Sequence, residues 1–282
     1  MSLSIQPRIS IIVLSVNTDP HALSAIASIK GDRVEKILVN SGTGSFKGHP
    51  SLKDVILIED PVKKLPGATR NIGIRCANGP IISFLASDCL LADNHVEQRL
   101  KAHDEGYDLV SCALRPHSNT IAAWASYIYI HKNRMPEFQK GSASFFGVSY
   151  RRDVFETLGH FNETMRIAED ANFNSRCQAL KRSLRPDVLM YHRYPESLRD
   201  AIDDISKRAV REMRFKNRSG FRQARSELLK SIRLSLRMLI SPSAPLRARL
   251  AASYLPLLGV SAAYACLKHH TLSHDASSGQ VS

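Results

Sequence analysis

The first half of the chain alternates between short apolar runs and segments in which apolar residues recur every three or four positions. The apolar runs are rich in β-branched residues, which favour strands, and they lie at 9–16, 34–39, 55–58, 81–85 and 108–113. The intervening segments have helical spacing, as at 94–105, and Pro66 stands at a favourable position for a helix start. This alternation predicts an α/β fold with a mostly parallel sheet and helices on both faces.

The pattern changes in the segment 120–147. It holds the only tryptophan, Trp124, followed by two tyrosines and a basic cluster at 131–134. Two interpretations remain open: an insertion that contacts an acceptor, or a surface helix followed by a loop. Small and aromatic residues at 141–150 predict a strand that lines a cleft.

The last third of the chain is basic and has helical, amphipathic spacing. Between residues 199 and 249 there are 14 Lys/Arg and 5 Asp/Glu. An uncharged run of 18 residues follows at 250–267, slightly shorter than the roughly 20 apolar residues of a membrane span. Basic amphipathic helices favour attachment to an anionic membrane surface. A true span and a helical hairpin that packs on the protein remain open.

These patterns predict three regions. Residues 1–198 form the α/β domain, residues 199–270 form a basic, membrane-associating helical extension, and residues 271–282 form a polar, disordered tail. The start of the chain does not have the pattern of a signal peptide, because the apolar run at 9–16 is short and no small-residue cleavage site follows it. We therefore expect a cytoplasmic protein that is peripheral on the cytoplasmic face of a membrane.

The overall charge indicates the classes of partner, and the cysteines indicate the redox compartment. A net charge of +13 and a pI near 9.7 favour anionic partners such as nucleic acid, anionic lipid or phosphorylated substrates. No nucleic-acid-binding module is recognisable, so we expect no nucleic acid partner. The five cysteines are scattered without a CxxC pair, which indicates a reducing compartment and argues against a zinc site or a disulfide framework.

Asp88 is the first candidate for chemistry. It follows the buried run at 81–87, and open α/β sheets bind ligands at the carboxyl ends of their strands. A carboxylate there can hold a divalent ion that neutralises a departing diphosphate. His192 ends another predicted strand, and an imidazole ligand would suit Mn²⁺ at least as well as Mg²⁺. The alternative for His192 is a packing or surface histidine.

Glu169 and Asp170 form an acidic pair at a predicted helix start. Acidic residues are common in a first helical turn because they interact favourably with the helix dipole. The functional alternative is a general base, in which one carboxylate accepts the proton of an incoming hydroxyl.

Several segments, in their order and spacing, give the chain a recognisable pattern. It resembles the family 2 glycosyltransferases, which have a nucleotide-binding GT-A fold, over roughly residues 8–213. The segments that carry the resemblance are ISIIVLSVN (9–17), ILVNSG (37–42), GATRNIG (67–73), FLASD (84–88), GHFNE (159–163), Glu169-Asp170 and His192.

The resemblance implies inverting transfer of a sugar from a nucleotide diphosphate donor with one divalent metal, Mn²⁺ or Mg²⁺. Asp88 matches the metal-binding acid of the DxD motif, and His192 matches a histidine beside the diphosphate and metal. Asp170 matches the general base, with Glu169 in support. The positions expected to bind the donor substrate are Ser15, Asn17, Asn40, Arg70 and Ser87. The stretch 141–144 matches one that flanks the acceptor cleft.

Two residues depart from the family pattern. Ala86 stands where the first Asp of DxD is frequent, and Asn40 stands where a base-reading Asp is common. An asparagine side chain both donates and accepts hydrogen bonds, so it can read a different base edge. These departures leave the donor nucleotide open.

The leading hypothesis is a membrane-associated glycosyltransferase that extends a glycan or lipid-linked acceptor in polysaccharide or cell-surface glycan biosynthesis. The alternative is a catalytically weak nucleotide-sugar-binding subunit of an assembly complex. A nucleotidyltransferase on a related fold would need a Gly-rich loop with Arg and Lys near the N-terminus, and residues 16–20 lack one. Nucleic-acid binding would depend on the interleaved charges and aromatics at 214–221.

Overall fold

The computed structural model describes residues 6–138 and 147–278. The strands in this part of the chain are β1 (Ile9–Val16), β2 (Val34–Ser41), β3 (Ile56–Asp60), β4 (Ile81–Ala86), β5 (Cys89–Leu91), β6 (Leu109–Pro116), β7 (Ser149–Arg151) and β8 (Arg182–His192). The helices are α1 (His21–Ala27), α2 (Pro66–Cys76), α3 (His95–Asp104), α4 (Ile121–His131), α5 (Asp153–Leu158), α6 (Glu169–Arg176), α7 (Leu198–Phe215), α8 (Gly220–Ile240), α9 (Leu246–Ala252) and α10 (Leu255–Ser278). The predicted α/β class is confirmed.

The chain divides into two compact units. The sheet unit comprises residues 1–115 and 133–192, and the helical unit comprises residues 116–132 and 193–282. Helix α4, from the segment with Trp124, therefore belongs to the helical unit. Much of the strand predicted at 141–150 lies outside the described residues, and β7 covers its end. Helix α10 continues to Ser278, within the segment expected to be a polar tail, and residues 279–282 lie outside the described part.

The sheet unit contains one eight-stranded sheet with the order β3-β2-β1-β4-β7-β6-β8-β5 among the described residues. Strands β3, β2, β1 and β4 run parallel, whereas β7 is antiparallel to both β4 and β6, and β5 is antiparallel to β8. Residues 11–13 of β1 are almost completely buried, as expected for a central strand covered on both faces. The parallel register sets Ser15 opposite Asn40 and Leu14 opposite Ala86. The carboxyl ends of β1, β2 and β4 therefore meet at one edge.

The GATRNIG segment lies in α2, and two of its glycines stand where other parts of the unit approach the helix closely. A Cβ atom at Gly67 would overlap the carbonyl oxygen of Asn162, and one at Gly73 would overlap the side chain of Ile12. Between them, Asn71 Nδ2 donates to the Phe161 carbonyl (2.9 Å), and Asn71 Oδ1 accepts from the Phe161 N–H (3.1 Å). The segment thus fixes α2 against β1 and against the chain that leads to α6.

The helical unit buries one side of each of its long helices. In α7 the buried residues recur every four positions, from Ala201 to Met213, and α10 packs against both α7 and α8. Tyr129 Oη donates to Glu227 Oε2 (2.8 Å), which ties α4 to α8. Among the described helices, none by itself is long and apolar enough to cross a membrane. The bent pair formed by Leu246–Ala252 and Leu255–His269, at 47°, meets those criteria by length and composition.

Candidate active site

Asp88 and His192 lie side by side, although 104 positions separate them in the sequence. The antiparallel register of β5 and β8 pairs Cys89 with His192, which brings His192 next to the residue before Cys89. Asp88 Oδ2 is 3.5 Å from His192 Nε2. The imidazole is buried, whereas about half of the Asp88 side chain is exposed. The carboxylate is therefore accessible to a ligand while the histidine is held by the sheet.

The donor atoms at this position fit a divalent cation. Asp88, Cys89 and His192 each offer one possible ligand atom, and these atoms lie within 4.8 Å of one another. Burial raises the pKa of the Cys89 thiol well above its usual range, and the thiol points at Asp88 Oδ1 (3.4 Å). A protonated thiol is a poor ligand for hard cations. One carboxylate oxygen and one imidazole nitrogen remain, an open set suited to Mn²⁺ or Mg²⁺ completed by diphosphate oxygens and water.

Glu169 forms an ion pair with Arg70, which projects from α2. Arg70 Nη1 donates to Glu169 Oε1, and both side chains are largely buried. The guanidinium also lies over the rings of Phe84 (5.6 Å) and Phe161 (5.3 Å), where a cation is attracted by the aromatic faces. Glu169 therefore balances the charge of Arg70.

Asp170 has a different environment from its neighbour, because consecutive helical residues project about 100° apart. It is half-buried, and its Oδ1 accepts from the N–H of Ala171 (2.7 Å). Asp170 and Arg70 line one pocket. The pocket is lined by Leu14, Arg70, Phe84, Ala86, Cys89, Gly147, Val148, Tyr150, Phe161, Asp170, Asn174 and Met190. Ala86 and Cys89 flank Ser87 and Asp88 in the chain, so the candidate metal ligand directly adjoins residues that line the same pocket as Asp170.

The predicted nucleotide-binding residues Asn17 and Asn40 hold two loops together. Asn40 is buried; its Oδ1 accepts from the N–H of Thr18 (3.0 Å), and its Nδ2 donates to Thr18 Oγ1 (3.3 Å) and to the Gly44 carbonyl (3.5 Å). Asn17 is exposed, and its Oδ1 accepts from the N–H of Thr43 (3.1 Å). These contacts join the loop after β1 to the loop after β2. A nucleotide base at Asn40 would have to replace one of these hydrogen bonds.

Asp19 is a residue of this site that sequence reasoning missed. Its backbone N–H donates to Ser15 Oγ (3.2 Å), and its Oδ2 accepts from Ser87 Oγ (2.5 Å). Asp19 thus links two predicted substrate-binding residues and holds the loop that carries Asp88. The sequence feature that could have identified Asp19 is its position just after the first strand, at the same sheet edge as the other candidate residues.

We expect the change Glu169→Gln to lower the stability of the fold. It would leave the largely buried guanidinium of Arg70 without its charged partner, at a cost of about 2 kcal/mol, and thermal unfolding should show a melting temperature lower by roughly 4–8 °C. The exposed Glu156 of α5 provides the control, because Glu156→Gln removes the same charge without a buried partner. Equal melting temperatures for the two variants would contradict the proposed charge balance.

Comparisons with known proteins identify the family of this chain. The family model described as glycosyl transferase family 2 matches residues 10–159. The putative glycosyltransferase EpsH of Bacillus subtilis (strain 168) is 30% identical over 116 residues, which are 38% of this chain and 33% of EpsH. The match thus spans about a third of the length of that curated relative.

Solved structures of glycosyltransferases share the fold. The mannosyltransferase PcManGT from Pyrobaculum calidifontis, in complex with GDP-Man and Mn²⁺, superposes with a TM-score of 0.53 at 19% identity, over 95% of this chain and 76% of PcManGT. S. aureus TarS 1-349 in complex with UDP-GlcNAc gives 0.52 at 16% identity, over 97% and 92%. At these identities the likeness concerns the fold alone, and it confirms the GT-A fold expected from the sequence.

Proposed function

The chain belongs to glycosyl transferase family 2, and we propose that it is a glycosyltransferase that transfers a sugar with inversion from a nucleotide diphosphate donor to a hydroxyl group. The observation that carries the proposal is that Asp88 and His192 lie side by side, while Ala86 and Cys89, the chain neighbours of Ser87 and Asp88, line the same pocket as Asp170. In this proposal, Asp88 and His192 act on the diphosphate leaving group, and Asp170 activates the attacking hydroxyl.

In the proposed reaction, the Asp170 carboxylate accepts the proton of the acceptor hydroxyl. The hydroxyl oxygen attacks the opposite face of the anomeric carbon, and the bond from that carbon to the diphosphate oxygen breaks, which releases the nucleoside diphosphate. Asp88 and His192 would hold a divalent cation at the diphosphate of the donor. A divalent cation bound there would act as a Lewis acid that neutralises the departing diphosphate. Arg70 and Glu169 keep the pocket wall in place through their buried ion pair, and Asp19 does the same for the loop with Ser87.

We propose a glycan or lipid-linked acceptor and a place in polysaccharide or cell-surface glycan biosynthesis. The excess of Lys/Arg in residues 199–249 supports this, because a basic region holds a protein near the anionic cytoplasmic face of a membrane. PcManGT was solved with GDP-Man and TarS with UDP-GlcNAc. These donors define the nucleotide classes to be tested first.

A second candidate is a nucleotide-sugar-binding subunit with weak catalysis. Ala86 at the first DxD position favours it, because this site then has a single Asp where many relatives have two. A protein that binds a nucleotide diphosphate but neither hydrolyses nor transfers any donor would identify this candidate.

We expect one of UDP, GDP, dTDP, ADP and CDP to raise the melting temperature in a Mn²⁺-dependent manner. At a ligand concentration of 100 times Kd, binding adds about 2.7 kcal/mol of stability, which corresponds to a shift of several degrees for a chain of this size. The measurement is a thermal shift series with and without Mn²⁺, repeated on the His192→Ala variant, which should lose the metal-dependent part. The absence of a shift with every nucleotide would contradict the proposal.

A further inference from the structure

Helix α8 of the helical unit turns an apolar stripe outward. Leu229, Ile232, Leu236 and Ile240 recur at spacings of three and four residues and lie on one face, and all four are exposed, Ile240 by 79%. The opposite face, with Ala224, Ser231, Leu234 and Met238, is already buried in the unit. The outward stripe therefore does not contribute to the core of the unit, and an exposed apolar patch of this kind indicates a site of interaction.

The charges on the outward side of α8 have one sign. The exposed basic residues of α8 are Arg222, Arg225, Arg233 and Arg237, whereas Lys230 lies 3.7 Å from Glu227 on the inner side. The single acidic residue of the helix, Glu227, is 3% exposed and is bound by Tyr129 and Gln223 on the inner side. The outward surface of α8 thus offers apolar side chains and cations but no carboxylate.

Helices α9 and α10 add to the exposed apolar area. Leu246 and Leu250 of α9 and Val260 and Tyr264 of α10 are all more than half exposed. On the other side of α10, Leu258, Ala262 and Cys266 are fully buried in the helical unit. One side of this bent pair thus packs within the helical unit, which favours helices that lie in the membrane–water interface over helices that cross the membrane.

We propose that the outward face of α8, here called the lipid-facing surface, binds an anionic phospholipid bilayer. An apolar stripe combined with arginines matches acyl chains below a layer of phosphate headgroups. A second copy of this chain would bring the same positive charge against itself, and the cores of protein interfaces are depleted of charged residues. The inference deepens the proposed function, because it assigns the surface by which the enzyme reaches a lipid-linked acceptor.

The test is sedimentation of the full chain with vesicles of equal parts phosphatidylglycerol and phosphatidylcholine, at low salt and at high salt. We expect binding at low salt and weaker binding at high salt. The variant Arg222→Ser/Arg225→Ser/Arg233→Ser should bind roughly 100-fold more weakly, and Ile232→Gln/Leu236→Gln at least tenfold more weakly. Matched controls in the sheet unit are Lys30→Ser/Lys47→Ser/Lys53→Ser and Val62→Gln, all at exposed positions. These controls should bind as the unaltered protein does.

Turnover of the donor with a water-soluble acceptor, in the absence of vesicles, separates this inference from the proposed function. A protein that turns over donor but stays in the supernatant overturns the lipid-facing surface and leaves the transferase standing. Vesicle binding without turnover of any donor would support the lipid-facing surface and contradict the proposed transferase activity. Unchanged binding by both surface variants, or a dimer in solution that only Ile232→Gln/Leu236→Gln dissociates, would also overturn the inference.

Discussion

Replacement of Asp88 by asparagine is expected to lower the rate of donor turnover roughly 10³-fold while the fold remains intact. The carboxylate of Asp88 is the accessible anionic ligand beside His192, and an amide oxygen binds a divalent cation much more weakly. Loss of the cation would remove about 4 kcal/mol of charge stabilisation at the leaving diphosphate. The measurement is release of nucleoside diphosphate during a Mn²⁺ titration. High Mn²⁺ should restore part of the activity.

Asp93 provides the matched control for this experiment. It is an exposed aspartate five positions further along the chain, so Asp93→Asn makes the same chemical change near the same strand. This control should turn over donor at the unaltered rate and with the same dependence on Mn²⁺. Unaltered rates in Asp88→Asn itself would show that the metal is bound elsewhere.

Replacement of Asp170 by asparagine should abolish transfer but leave donor binding unchanged. An amide cannot accept the hydroxyl proton, and general base catalysis typically contributes 10²–10⁴-fold. Donor binding should persist because Asp88 and His192 are unaltered. Transfer to the acceptor is measured together with the nucleotide-dependent thermal shift of the same preparation. The expected result is a large fall in kcat with the shift unaltered.

Asp153, an exposed aspartate in the first turn of α5, serves as the control for helix-dipole effects. Asp153→Asn should retain both transfer and donor binding. If Asp170→Asn loses its nucleotide-dependent shift as well, Asp170 contacts the donor and a different group must act as the base. Glu169→Gln provides a contrast, because its main expected effect is a lower melting temperature, whereas the main expected effect of Asp170→Asn is a lower kcat.

The sequence by itself determined the fold class and most of the strands, because these depend on local periodicity. β-branched runs predicted β1, β2 and β4, and their ends placed Asp88 at a sheet edge. The predicted helix start at Glu169 and the predicted strand end at His192 both agree with the structure. The surplus charge of residues 199–249 was likewise readable, since it requires only counting.

The tertiary structure decided what the site residues contact. The three-residue strand β5 was too short to be predicted, yet its register with β8 brings His192 to Asp88. The structure distinguishes Glu169, which pairs with Arg70, from Asp170, which is half-buried and lines the pocket; as neighbours in one helix start, the two have the same local sequence pattern. Asn40 could be assigned to base recognition from its position, but its hydrogen bonds to Thr18 and Gly44 are visible only in the fold. Periodicity reports which face of an element is buried, whereas pairing between distant segments depends on how the elements pack, and the chemistry of this site depends on that pairing.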